Sequence, residues 1–321
     1  HLVRVGIQEA AKQNLVRYAQ APMLDMLGEL VGVTRLSEEA AVCPVRFSVK
    51  APLAANLTIP AGVKIYSHDG AYRFDTLEAV TLPAGDLFVD AAAQCSAGGA
   101  AANGILPGGV CQLADPLSDA DVSAVNTEAT SGGADAESDD HLRERIMLAP
   151  EAFSTAGSEL AYRFHALSAS SLIADVGVVS PVPGVVDLYL LTKEGLPGAA
   201  LVAVVGAYVS GKKVRPLTDT VNVYPATRVE QRLRAELTLY DGADGDAVRA
   251  AVDQAVAEWR EAGRVQLGAD VVRSQLVALL SVYGVYRVNL LEPAEDYEAD
   301  MSEWIDWQDV DISIAPERKH G

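Results

Sequence analysis

Apolar residues at helical spacing open the chain: Ile7, Ala11, Leu15 and Tyr18 share a face, Pro22 interrupts, and Leu24, Leu27, Leu30 and Val31 resume the pattern. The spacing predicts two helices joined at a proline, with Gly32 just past a helix end, where a left-handed residue is needed. From Cys43 to Leu113 the period falls to two. Val45, Phe47 and Val49 face one way and Arg46, Ser48 and Lys50 the other, which predicts half-buried strands. Ile59-Pro60-Ala61-Gly62-Val63 and Leu82-Pro83-Ala84-Gly85 place Pro and Gly at turn spacing ahead of alternating runs, as antiparallel connections require.

The texture changes between Gly132 and Leu148. The first half of that stretch holds two glycines, Gly132 and Gly133, and the carboxylates Asp135, Glu137, Asp139 and Asp140, with no large apolar residue. It reads as solvated backbone. Ser138 then predicts a helix cap, Asp139 and Asp140 suit the positive end of the helix dipole, Leu142 and Ile146 share a face, and Pro150 ends the helix.

Beyond Pro150 helix and strand alternate. Leu160, Phe164 and Leu167 mark a helix, Val176 to Ser180 and Val185 to Leu191 a hairpin across Pro181-Val182-Pro183-Gly184. Leu201 to Val209 is apolar enough to predict a buried helix, and Val221 to Tyr224 a short strand. From Val229 to Leu239 every second residue except Gln231 is apolar, the clearest strand in the chain. Val248, Val252, Val256 and Trp259 mark an amphipathic helix stopped near Gly263, and Val272, Leu276, Leu279 and Leu280 another, leading into Tyr286, Val288 and Leu290. Ile173 to Pro181 echoes Val285 to Pro293 weakly, as any two helix-to-strand units do.

Half of the 321 residues are apolar, enough for two or three domain cores, and no run of about 18 apolar residues predicts a membrane span. The sequence therefore reads as that of a soluble protein, with no secretory leader pattern. A net charge of -19 without clustered Lys and Arg argues against a nucleic-acid ligand. Nine carboxylates lie between Glu292 and Asp311, a segment without Lys or Arg, and Trp304, Ile305 and Trp307 are interleaved with them. It is either a solvated acidic face or a surface docking a basic neighbour, with Trp304, Ile305, Asp306, Trp307 and Asp309 as the candidate docking residues.

Chemistry is sparse in the pattern. Cys43, Cys95 and Cys111 are odd in number and widely spaced, and the five histidines show no ligand spacing, so neither a disulfide framework nor a metal or cofactor site is expected. Asp309-x-Asp311-x-Ser313 lacks the glycine and distal glutamate of a calcium loop, and Gly98-Gly99 and Gly108-Gly109 lack the ending of a phosphate loop. No Gly-x-Ser-x-Gly elbow is present. A carboxylate pair for glycoside cleavage arises by chance in so acidic a chain, so catalysis is not expected.

Gly132-Gly133-x-Asp135-x-Glu137-Ser138-Asp139, followed by Leu142-Arg143-x-Arg145-Ile146, resembles the signature of the baseplate J-like family of contractile phage tails. Leu24-Asp25-x-Leu27-Gly28 and Gly32-Val33-x-Arg35-Leu36 resemble the family's N-terminal segment, and the two Pro-Ala-Gly turns and Asn103-Gly104 its strand region. The resemblance implies a baseplate wedge subunit, without catalytic residues, folded and assembled in the bacterial cytoplasm. It would form a ring of copies and other wedge proteins around the central spike, near the tube and sheath base, and relay the trigger for contraction. Related chains occur in tailocins and other contractile injection systems. Alternatives are a receptor-binding or fibre-attachment protein at the baseplate rim, and a carbohydrate-cleaving tail enzyme.

The expected architecture is a multidomain α+β fold. An N-terminal helical segment (1–41) leads to an antiparallel β-rich domain (42–114), a linker (115–137) and mixed α/β C-terminal domains over 138–228 and 229–321. Gly132 and Gly133 are the candidate hinge, since few buried contacts resist movement in a stretch without large apolar residues.

Overall fold

A computed structural model describes residues 2–117, 121–153, 158–211 and 218–320. The chain forms two compact units, His1–Arg143 and Glu144–Gly321, so the division falls inside a helix and not in the glycine-rich stretch before it. The multidomain α+β architecture expected from the periodicities is the one observed.

In the first unit α1 (Leu2–Lys12) and α2 (Met23–Glu29) precede β1 (Ala40–Val49), β2 (Leu57–Ile59), β3 (Lys64–Ser67), β4 (Arg73–Thr76), β5 (Val80–Leu82), β6 (Phe88–Gly98), β7 (Val110–Leu113) and β8 (Val122–Asn126). The main sheet runs β7-β3-β4-β6-β1-β8 and is antiparallel at each pairing, while β2 and β5 form a separate antiparallel pair. Burial alternates along β1, as its period of two requires, and Phe47, Ile65, Phe74, Ala93 and Val110 meet in one core.

The end strands β7 and β8 meet at a polar seam around Asn126, which is 1% exposed. Its Oδ1 accepts from Val110 N at 2.8 Å, its Nδ2 donates to Leu106 O at 3.0 Å and Glu128 O at 2.8 Å, and its carbonyl accepts from Gly108 N at 2.9 Å. A buried amide with both ends satisfied costs little and occupies strand edges that would otherwise stay open.

The linker expected over 115–137 is largely woven into this unit; its residues 118–120 lie outside the described ones. Strand β8 pairs with β1 from Val49↔Val122 to Val45↔Asn126, and Ala124, Asn126, Thr130, Ala134 and Glu137 are buried. The core here is filled by small and polar side chains that exchange backbone bonds, so the segment folds with little apolar volume.

The second unit takes in the second half of the signature helix α3 (Asp139–Leu148), then α4 (Glu159–Leu167), β9 (Ile173–Val179), β10 (Val185–Thr192), α5 (Ala199–Val209), β11 (Thr220–Pro225), β12 (Thr227–Tyr240), α6 (Gly245–Gly263), α7 (Arg273–Leu280), β13 (Val285–Glu292) and β14 (Glu303–Lys319). Its two sheets, β11-β10-β9 and β13-β12-β14, share a pattern: a central strand with one antiparallel and one parallel neighbour. The echoing stretches are the antiparallel edges β9 and β13. The order along the chain differs, however, because β9 precedes its central strand and β13 follows it.

Two expectations for this unit change. Helix α5, without a polar residue, buries only Val205 and Val209 among its described positions, while Val204 and Tyr208 stay exposed. The acidic segment runs into a 17-residue strand, β14. Its alternation of Val310, Ile312 and Ile314 with Asp309, Asp311 and Ser313 is a strand period masked by the weight of carboxylates. Among the described residues no helix is long and apolar enough to cross a membrane.

Candidate functional site

The signature glycines are where backbones meet. Val42 N donates to Ser131 O at 2.8 Å and Glu39 N to Ala134 O at 2.8 Å, while Asn103 brackets Gly133 through both its amide atoms, at 2.8 and 2.9 Å. A Cβ on Gly133 would stand 2.4 Å from Gly99 O, and Gly132 has φ +83°. Neither glycine has the loose surroundings a hinge requires: one admits a close approach and the other a left-handed turn. The low apolar content that suggested a hinge reflects that close approach.

Downstream of them a polar clasp holds the N-terminal segment of the same unit. Arg35 Nε donates to Asp25 Oδ1 and its Nη2 to Asp139 Oδ1, each at 2.7 Å, while Nη1 reaches Glu137 O at 2.6 Å. Glu137, whose side chain is fully buried, accepts from Leu36 N at 2.9 Å and bonds His141 Nδ1, one turn along. Asp139 also accepts from Ala21 N, and Arg143 donates to Val16 O and Ala19 O. Hydrogen bonding to Arg35 holds both Asp25 and Asp139 below the usual carboxylate range, and the guanidinium is raised in turn, first by its bond to Asp25. Asp139 is therefore more than a charge at a helix start, whereas Asp140 is largely exposed and pairs with Arg143. Leu142 is fully buried and Ile146 nearly so.

The candidate docking residues lie on β14 in the second unit. Trp304 and Ile305 are buried, and Trp307 packs against Trp259 with ring centroids 4.9 Å apart. They are core residues and not free anchors. The carboxylates between them face arginines of β12, its parallel neighbour: Arg228 meets Asp306 at 2.5 Å, Arg232 meets Asp309 at 3.7 Å, and Arg234 stands 3.6 Å from Asp311 and 3.3 Å from Glu292. Four of the nine carboxylates of the acidic run thus have arginines of the same domain beside them.

Trp304 also joins the two sheets of this unit. Its Nε1 donates to Arg264 O at 3.0 Å, and it packs with Leu191, Ala226 and Leu267 while its ring lies over Gly195. Asp175 on β9 accepts from Leu267 N at 2.8 Å and receives Arg163, which also holds Glu144 at 2.6 Å. At Gly177 a Cβ would fall 1.8 Å from Met301 O, so the backbones touch there. A groove of about 580 Å³ runs beside this joint, lined by Glu194, Arg260, Arg264 and Trp304 among others. Arg260 and Arg264 donate to Trp307 O and Lys193 O, so their guanidinium groups take part in holding the joint.

The joint and the clasp escape the sequence pattern. Asp25 and Arg35 stand inside quoted motif segments, but their partners are known only once the chain is folded; Asp175, Arg163 and Gly177 carry no local signal.

Three stretches match domains of one family in chain order: residues 44–133 the Baseplate J-like protein barrel domain, 154–225 the Baseplate J-like central domain and 232–313 the Baseplate J-like protein C-terminal domain. Baseplate protein J of Escherichia phage P2 is 40% identical over 162 residues, 50% of this chain and 53% of that protein. The aligned part thus spans about half the length of that curated relative. A chain in the cryo-EM structure of the anti-feeding prophage (AFP) baseplate, 6-fold symmetrised, is similar over 97% of this chain and 85% of its own, at 12% identity and a TM-score of 0.46.

Proposed function

The chain belongs to the baseplate J-like family, and from that premise we propose that it is a structural baseplate subunit of a contractile phage tail or phage-tail-like particle. The observation that carries this reading is the run of barrel, central and C-terminal domain matches, in order, from residue 44 to residue 313 of one chain. Within the particle it is a wedge protein, in contact with other wedge proteins and further copies of itself in a ring around the spike, close to the tube and sheath base. Its role is assembly and relay of the contraction trigger, not catalysis. The geometry suits that role: a relay needs bodies that pass a displacement on without deforming, and close-packed interiors with satisfied polar seams do so.

Deleting the gene and examining the particles by electron microscopy tests this. Loss of baseplates, restored by the intact gene, is the expected result. Particles that assemble complete baseplates and contract without the chain would overturn the structural role. Complete baseplates with sheaths that no longer respond to the receptor would confine the role to the relay.

A further inference from the structure

Helix α5 is apolar on every side. Of the α-helices described, it alone carries no charged side chain, in a chain of net charge -19. A helix of that composition is ordinarily buried all round, yet only one side of α5 is covered. Val205 and Val209 enter the core shared with α4 and the strands β9 and β10, and Leu201 and Val202 pack against it. Ala200, Ala203, Val204, Ala207 and Tyr208 remain exposed, Val204 at 54% and Tyr208 at 44%. Their spacing of i, i+3, i+4, i+7 and i+8 puts all five on one stripe, so they form an apolar face and not scattered exposed residues.

Charge and shape both select the occupant. Identical copies of an acidic protein repel one another, and a charge-free face is where two of them approach with least opposition, while it offers nothing to a partner that binds through charge. A two-fold axis at Val204 would set two copies of α5 antiparallel, bring Val204 against its own copy and lay Tyr208 of each over Ala200 of the other. Bulk then meets a small residue at both ends, and Ala203 and Ala207 let the helix axes approach closely. Parallel pairing would instead set Tyr208 on Tyr208 and leave Ala200 facing Ala200.

We infer that α5 is a contact between copies of this chain, formed by two-fold antiparallel pairing of its exposed stripe about Val204. The inference gives a surface to the contact between copies proposed above and rests on that reading for its place in a particle. Its test uses the free chain, so a failure here leaves the particle role standing. One helix pair about 16 Å long buries less than the roughly 800 Å² per partner of a stable complex. Free copies should therefore pair weakly and reversibly, and firmly only where other contacts hold them together.

Cysteine cross-linking reads this geometry. In the full chain carrying Cys111→Ser, only the buried Cys43 and Cys95 remain. Val204→Cys in that background should form disulfide-linked dimers on mild oxidation, since thiols at the axis come within reach of each other. Glu258→Cys, exposed on α6, should not. Ala200→Cys and Tyr208→Cys should cross-link when mixed and much less when alone. In sedimentation equilibrium of the otherwise unaltered chain, Val204→Asp should weaken self-association by roughly tenfold, because pairing would bury an unpaired charge. Val204 and Ala200 face solvent in the single chain, so these changes spare the fold, which an unaltered circular dichroism spectrum checks. Cross-linking of Val204→Cys no faster than that of Glu258→Cys, or self-association untouched by Val204→Asp, would overturn the inference and leave the stripe to another protein or to none. Ala200→Cys pairing with itself as readily as with Tyr208→Cys would overturn it by excluding the two-fold arrangement.

Discussion

Arg35 in the first unit and Arg234 in the second each stand between two carboxylates. Around Arg35 the ion pairs are 2.7 Å, its side chain is 22% exposed, and the network continues into a fully buried glutamate and backbone groups. Around Arg234 the distances are 3.3 and 3.6 Å, the arginine is 48% exposed, and Asp311 is 69% exposed. Exposed pairs gain little, because water and salt screen them and two long side chains must be held still. A buried carboxylate, by contrast, leaves costly unpaired donors behind when it is removed. The same residue types therefore organise backbone in one place and neutralise a surface in the other.

The largest expected effect lies on the exposed network's own strand but not in its charges. Trp304→Ala should cost the second unit about 3 to 5 kcal/mol, read from urea midpoints, because it empties the joint between the two sheets. A loss no larger than that of Asp309→Asn would mean that the charged face holds the strand.

Glu137→Ala comes next, at about 3 kcal/mol, since it leaves Leu36 N and His141 Nδ1 without their carboxylate inside the first unit. Amide exchange at Leu36 should speed up with it. If the midpoint and the exchange rate both stay put, the clasp is not what anchors the N-terminal segment.

Acid should separate the two networks further. Asp25 and Asp139 titrate lower in the folded protein than in the unfolded chain. Their contribution is thus complete above the ordinary aspartate range near about 4 and disappears as pH falls through their depressed folded values. The N-terminal segment should loosen in that window, seen as faster exchange at Ala21, whose N–H bonds Asp139. Arg35→Gln should loosen it already at neutral pH and flatten the acid dependence; an unaltered profile would remove Arg35 as the cause.

The smallest effect belongs to the ladder between β12 and β14. Asp309→Asn or Asp311→Asn should each change stability by about 1 kcal/mol or less, and less still in high salt. A larger loss would show that the ladder acts as a coupled network.

Much of this fold is legible along the chain. Alternation at Val45, Phe47 and Val49, helical spacing from Val248 to Trp259, Gly32 past α2 and Pro150 after α3 each act through residues a few positions apart, and each element appears where its pattern predicts. The hinge and docking readings both rest on residues whose neighbours lie far along the chain. Gly133 is small because Gly99, more than thirty positions earlier, approaches it, and Asp306 is acidic because Arg228, 78 positions earlier, pairs with it. Local order, turn chemistry and family signature follow from the sequence because periodicity and backbone preference are properties of neighbours. Which charges are spent internally, which small residues are contact points and which tyrosine is left facing solvent depend on groups far apart in the chain, and folding alone brings those together.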